Sequence, residues 1–111
     1  MVLVNSGTAS SSEILAGALQ DNHRAKLIGE KTFGKGLIQS LFELPNGAGL
    51  AVTVAKYETP SHKDINKLGI EPDRVVKQEK PILFTEIGTD KDIQYQAAVK
   101  ALATQTLANA A

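Results

Sequence analysis

Apolar residues fall into short runs separated by glycine, proline and small polar residues. Val2 to Val4 form a β-branched and leucine run that stops at Asn5-Ser6-Gly7, which is strand followed by turn chemistry. Thr8-Ala9-Ser10-Ser11-Ser12-Glu13 then leads into Ile14 to Leu19. Ser10 with Glu13 fits a capping box, and Ile14, Leu15, Ala18 and Leu19 make the apolar stripe of a helix fading near Asp21-Asn22-His23. Ala25 to Ile28 read as a second strand closed by Gly29, and Glu30 to Gly36 as a glycine-punctuated loop.

Leu37 to Leu44 and Gly49 to Tyr57 are strand-like runs joined through Pro45-Asn46-Gly47, a strong hairpin signal. Thr59 to Asp73 is read as loop, broken by Pro60, Gly69 and Pro72, with a short strand at Val75 and Val76. Asp90 to about Leu107 is a predicted helix, capped by Thr89 and carrying Ile93, Ala97 and Ala101 on its apolar side. The fold class is therefore α/β: a strand–helix–strand crossover unit, then a β-hairpin and a C-terminal helix.

Composition narrows the function classes. With 12 basic and 12 acidic residues in 111, the formal net charge is zero, so neither nucleic acid nor an anionic membrane has an electrostatic footprint. Without cysteine there is no thiolate chemistry, disulfide or cysteine-based zinc site, and no cofactor or metal is expected. The apolar runs fall far short of the roughly 20 residues that span a bilayer, so no intrinsic membrane segment is expected. The first residues read as a buried strand rather than a signal peptide. A start in mid-sheet suggests a single partial domain over residues 1–111, cut from a longer chain.

The serine cluster carries the first candidate chemistry. A strand, a tight turn and a helix opening at Ser10 place a hydroxyl where free backbone N–H groups and the helix dipole favour negative charge. The N–H of the residue after a nucleophile there can face a developing oxyanion. The plainer reading is an N-cap, and Ser11 and Ser12 carry the same chemistry. His23, at a helix end, and His62, in a polar loop, lack the context of a Ser-His-Asp triad. Lys35 is the better base, because the apolar, glycine-rich stretch Thr32 to Ile38 fits a lysine pressed against packed backbone and kept neutral. The plainer reading of Lys35 is a solvated loop lysine. Gly29 to Lys35 also matches the core of a phosphate-binding loop, but Gly36 stands where Ser or Thr is required and a strand follows where a helix is required.

Together these residues resemble a known family. Val2 to Asp21, Gly29-Glu30-Lys31-Thr32-Phe33-Gly34-Lys35-Gly36-Leu37-Ile38-Gln39, and Thr59 to Asp73 are similar to three blocks of the carboxyl-terminal processing peptidases, or tail-specific proteases, in the right order. A weaker echo lies at Asp90 to Leu102. The family pattern Ser-Ala-Ser-Ala-Ser-Glu, with its middle serine catalytic, falls on Thr8 to Glu13 and selects Ser10. The family's base falls on Lys35, its supporting glutamine on Gln39, and one oxyanion donor on the N–H of Ser11. Thr8 and Ser11 depart from the usual Ser and Ala without removing a catalytic group.

The resemblance implies part of a ClpP/crotonase-like catalytic core and a Ser-Lys endopeptidase that cleaves proteins near their C-termini. It implies protein substrates with unstructured C-terminal tails, and a periplasmic, cell-envelope or thylakoid-lumen location. Family members also carry an upstream PDZ domain and an Asn-Pro-Gly-Gly-type segment that supplies a second oxyanion donor. The expectation is that these 111 residues alone are inactive and poorly folded. The alternative is a non-catalytic scaffold or binding module of the same fold, with Ser10 a cap and Lys35 solvated.

Overall fold

The computed structural model describes the backbone of residues 1–109 and the side chains of residues 1–104. Strand β1 (Val2–Val4), helix α1 (Ser11–Asp21) and strand β2 (Leu27–Gly29) form the crossover unit, with Val2 opposite Leu27 and Val4 opposite Gly29 in parallel register. Strand β3 (Leu37–Glu43) and strand β4 (Gly49–Lys56) make a separate antiparallel hairpin. Strand β5 (Arg74–Val75) adds in parallel to β2, giving the sheet order β1-β2-β5, and helix α2 (Ile93–Asn109) closes the fold. All three strands of the first sheet run the same way. Their carboxyl ends therefore meet at one edge, where α/β sheets place ligands.

Helix α1 turns inward a face that only partly matches its predicted apolar stripe: Ile14 packs against the core, and Ala18 and Leu19 are half-buried. Glu13, Ala16 and Gly17 are buried, while Leu15 is 62% exposed. The reason is chemical: an inward Glu13 meets donors from the loop after β2, and they hold its carboxylate in a buried position.

Residues 59–73 also differ from their reading as loop. They have no regular element, yet Ile65 and Ile70 join Val4, Ala16 and Leu27 in the core, with Val2, Ile14 and Tyr57 packed against it. Two acids fasten this segment to α1 and β2. Asp21 Oδ2 accepts the Ser61 N–H at 2.9 Å and the Ser61 hydroxyl at 2.7 Å. Asp73 Oδ2 accepts the Leu27 N–H at 2.8 Å and a Gln20 side-chain N–H at 3.2 Å.

Helix α2 lies against β1 and β2. Its start is three residues later than expected, because Asp92 rather than Thr89 caps it. Asp92 Oδ1 accepts the Tyr95 N–H at 2.9 Å, whereas the Thr89 hydroxyl donates to the Glu86 carbonyl at 2.6 Å.

The hairpin turns where the sequence placed it, with Asn46 and Gly47 at φ of 80° and 75°. Leu37 pairs with Lys56 and Glu43 with Gly49, and the register shifts between Ile38 and Gln39. Every residue of β4 is exposed.

Candidate active site

The turn after β1 is built by its own polar residues. The Gly7 N–H donates to Asn5 Oδ1 at 2.9 Å, the Thr8 N–H to the Asn5 carbonyl at 2.9 Å, and the Asn5 N–H to Thr8 Oγ1 at 3.0 Å. The chain then enters α1 through Ser10, which is held at φ 56° and ψ −121°. That region is sparsely populated for a residue with a side chain, and such conformations collect at functional sites. A sharp strand-to-helix turn of this kind is how a nucleophile elbow presents its hydroxyl.

Ser10 forms the reciprocal half of the expected capping box, through its backbone and the Glu13 carboxylate. Its side chain makes no capping hydrogen bond to the helix. Its backbone N–H instead donates to Glu13 Oε2 at 2.9 Å. The Ser11 N–H, on the first helical residue, has no acceptor among the described residues. It is one of the orphan donors of a helix start, available to an incoming oxygen.

Glu13 organises the rest. Its side chain is wholly buried and accepts four hydrogen bonds. The Ser10 and Lys35 N–H groups share Oε2, at 2.9 and 2.8 Å. The Gly34 N–H and the Thr32 hydroxyl share Oε1, at 2.7 and 2.5 Å. Thr32 Oγ1 in turn accepts the Ile70 N–H at 2.7 Å, extending the network into the 59–73 segment. Burial alone would raise the Glu13 carboxyl pKa, but the hydrogen bonds outweigh it and leave the group below its ordinary value.

Close backbone approach makes this possible. Gly34 sits at φ 90°, and a Cβ there would stand 2.9 Å from the Gly69 nitrogen. A Cβ on Gly36 would stand 2.5 Å from the Asn66 nitrogen. Both positions are closed to any side chain without displacement of the backbone they face.

The structure brings the backbones of Ser10, Ser11 and Lys35 together and leaves other expectations unmet. The Lys35 side chain is exposed, not pressed against packed backbone. The packed side of its loop is taken by Thr32, Gly34 and Gly36, all buried, which turns Lys35 outward. No hydrogen bond joins its amine to the Ser10 hydroxyl or to Gln39 among the described residues. Gln39 is exposed on β3 beside the register shift. Of the histidines, His62 bonds Glu58 at 3.2 Å, His23 is exposed, and neither contacts Ser10 by a hydrogen bond. The phosphate-loop pattern fails on geometry too, since the Gly34 and Lys35 N–H groups are committed to Glu13.

Sequence reasoning saw Glu13 only as half of a capping box and did not single out Thr32. The available signal was an acid set between a serine-led turn and an apolar run, which a cap explains equally well.

Residues 1–76 match the profile of Peptidase family S41. The chain is 74% identical over 102 residues to a Carboxyl-terminal-processing protease of a Picosynechococcus species, covering 92% of this chain and 24% of that protein. It is 65% identical over 80 residues to Carboxyl-terminal-processing peptidase 2, chloroplastic, of Arabidopsis thaliana, covering 72% of this chain and 16% of that one. Among solved structures it is similar to a photosystem II D1 C-terminal processing protease, with a TM-score of 0.70 and 51% identity, covering 85% of this chain and 24% of that chain. The chain thus spans about a quarter of the length of these cyanobacterial and structural relatives.

Proposed function

Because the chain belongs to peptidase family S41, we propose that it is the dyad-bearing part of a serine endopeptidase that cleaves proteins near their C-termini. Ser10 is the nucleophile, Lys35 the general base, Gln39 the group that orients Lys35, and the Ser11 N–H an oxyanion donor. The observation that carries this reading is the shared carboxylate oxygen of Glu13. It ties a strained Ser10 to the backbone of the loop that bears Lys35.

In the reaction, the neutral Lys35 amine takes the Ser10 hydroxyl proton as Oγ bonds to the scissile carbonyl carbon. The carbonyl oxygen gains the negative charge and accepts from the Ser11 N–H. Collapse breaks the C–N bond, the Lys35 ammonium returns a proton to the leaving amine, and water hydrolyses the acyl-enzyme through the same base.

The resemblance puts the second oxyanion donor on an Asn-Pro-Gly-Gly-type segment, a run these 111 residues do not contain. Loss of one donor costs on the order of 10²–10³ in rate, so the proposal holds that residues 1–111 by themselves are inactive. The substrates are proteins with unstructured C-terminal tails, met in a periplasm, cell envelope or thylakoid lumen. No helix among the described residues is long and apolar enough to cross a membrane.

The scaffold reading has one observation in its favour, the exposed Lys35 with no hydrogen bond to Ser10. The natural protein carrying these residues separates the two when given a tailed substrate. Ser10→Ala and Lys35→Ala should each abolish cleavage, while His62→Ala leaves it nearly intact. Normal cleavage by Lys35→Ala would overturn the dyad.

A further inference from the structure

Thr32 is buried in the loop that bears Lys35, and its side chain hydrogen-bonds to neither Ser10 nor Lys35. Its hydroxyl joins two other groups. The Ile70 N–H donates to Oγ1 at 2.7 Å, and Oγ1 donates to Glu13 Oε1 at 2.5 Å. The direction of both bonds is fixed. A backbone N–H can only donate, so the oxygen accepts from Ile70 and its own proton is left for the carboxylate. The backbone repeats the link, with the Thr32 N–H donating to the Ile70 carbonyl at 3.1 Å. A Cβ on Gly69 would stand 2.4 Å from the Thr32 carbonyl oxygen, so the two segments meet without slack.

The proton of Thr32 meets Glu13 on the oxygen opposite the one that serves the site. Oε1 takes the Thr32 hydroxyl and the Gly34 N–H, while Oε2 takes the Ser10 and Lys35 N–H groups. The carboxylate is planar and turns about one soft bond, so pinning Oε1 also sets where Oε2 points. Among these four donors Thr32 is the one side chain; the others are backbone amides. No ion pair reaches Glu13 among the described residues, so hydrogen bonds orient it. A carboxylate free to rotate would release the Ser10 turn, with the Ser11 N–H behind it, from the Lys35 backbone.

We propose that Thr32 is a positioning residue for the cleavage reaction: its hydroxyl fixes the plane of the Glu13 carboxylate, and through it the placement of Ser10 relative to Lys35. This rests on the protease reading above and adds to it a buried group that the substrate does not touch. Displacing reacting groups by about 1 Å costs up to roughly 100-fold in rate. Deleting the hydroxyl should therefore act on kcat and leave KM alone.

The test uses the natural protein carrying these residues and a tailed peptide, with rates divided by the folded fraction read from circular dichroism. Thr32→Val keeps the volume and removes both side-chain bonds. Its kcat per folded molecule should fall by roughly 10- to 100-fold with KM unchanged. Thr32→Ser restores the hydroxyl and should recover most of the loss. A merely structural role would lower the melting temperature and leave kcat per folded molecule unchanged, which overturns the proposal. A loss that Thr32→Ser does not recover also overturns it, because the methyl rather than the hydroxyl would then matter. Should Thr32→Val not fold, Thr32→Cys sets a weaker donor in the same place and should lower kcat with KM held. An unchanged kcat there is again decisive against the proposal. Ser10-dependent cleavage that is indifferent to Thr32→Val overturns this inference alone. Cleavage that survives Ser10→Ala removes the protease reading beneath it.

Discussion

The amides of Ser10 and Lys35 donate to one oxygen of Glu13, at 2.9 and 2.8 Å, so the separation of the two nitrogens is bounded by the sum of those bonds. A residue of the helix start and a residue 25 positions later are thereby placed by a single buried carboxylate. Two elements that meet through one acceptor atom depend on that atom being charged and fully accepting.

Glu13→Gln is the sharpest probe of this dependence. The amide keeps the shape but turns one acceptor into a donor, which then faces two of the four groups that donate to the carboxylate. A buried donor left unsatisfied costs about 1–3 kcal/mol, so with two such donors the variant should lose about 2–6 kcal/mol. A urea titration of the natural protein with and without the substitution checks it. A midpoint that does not move would mean the network is not what holds the loop.

Acid should weaken the fold through the same kind of group. Glu13, Asp21 and Asp73 all have carboxyls held below their ordinary values, despite burial at Glu13 and Asp73 that alone would raise them. At Asp21 the Thr59 and Ser61 hydroxyls and the Ser61 N–H do most of the lowering. A carboxylate depressed on folding stabilises above its unfolded pKa, near 4, and loses that contribution as pH falls through the lower folded value. Melting temperature should therefore hold above about pH 5 and drop below it. Asp21→Asn should flatten the drop, since the amide has no proton to take up in that range. An equally steep curve for the variant would show that Asp21 does not contribute to the transition.

How much of this was legible in the sequence depends on the range of the interaction. The crossover unit and the hairpin were readable because Val2 to Val4, the Ile14 to Leu19 run and Pro45-Asn46-Gly47 carry local periodicity and turn chemistry. Part of the inward face of α1 was not, because Glu13 is buried by donors 19 to 22 residues away. Ile65 and Ile70 were hidden for a related reason. Their segment has breakers and no period, and it is ordered by Asp21 and Thr32 from elsewhere in the chain and by its own Asp73, which accepts the distant Leu27 N–H. Ser10, Ser11 and Lys35 were selected by the family resemblance, and the structure places their backbones together. The Lys35 side chain faces solvent because its neighbours Gly34 and Gly36 occupy the packed side, a fact no local pattern announces.

Gly34→Ala tests the close approach beneath Lys35. At φ 90° an alanine is strained, and its Cβ would lie 2.9 Å from the Gly69 nitrogen and 3.1 Å from the Lys67 carbonyl carbon. Strain of this kind costs of order 1–3 kcal/mol. Relief requires the 32–36 segment to lift from residues 65–69, which moves Lys35 with it. The expected result is a lower melting temperature together with a fall in Ser10-dependent cleavage. Unchanged stability would show that the loop tolerates the displacement and that the tight packing is incidental.

Thr32 links the site to the 59–73 segment, and its removal should be felt at both. The hydroxyl donates to Glu13 Oε1 and accepts the Ile70 N–H, in a side chain that is nearly all buried. Thr32→Val preserves the volume and deletes both bonds, leaving a buried backbone donor on Ile70 without its partner. The cost expected is about 1–3 kcal/mol. Because Thr32 and Glu13 belong to one hydrogen-bonded unit, the loss in Thr32→Val combined with Glu13→Gln should fall short of the sum of the single losses. Coupling of about 0.5–3 kcal/mol is usual for residues in contact. Four urea titrations close the cycle, and strict additivity would mean that Thr32 and Glu13 act independently, leaving Ile70 without a polar route to the serine turn.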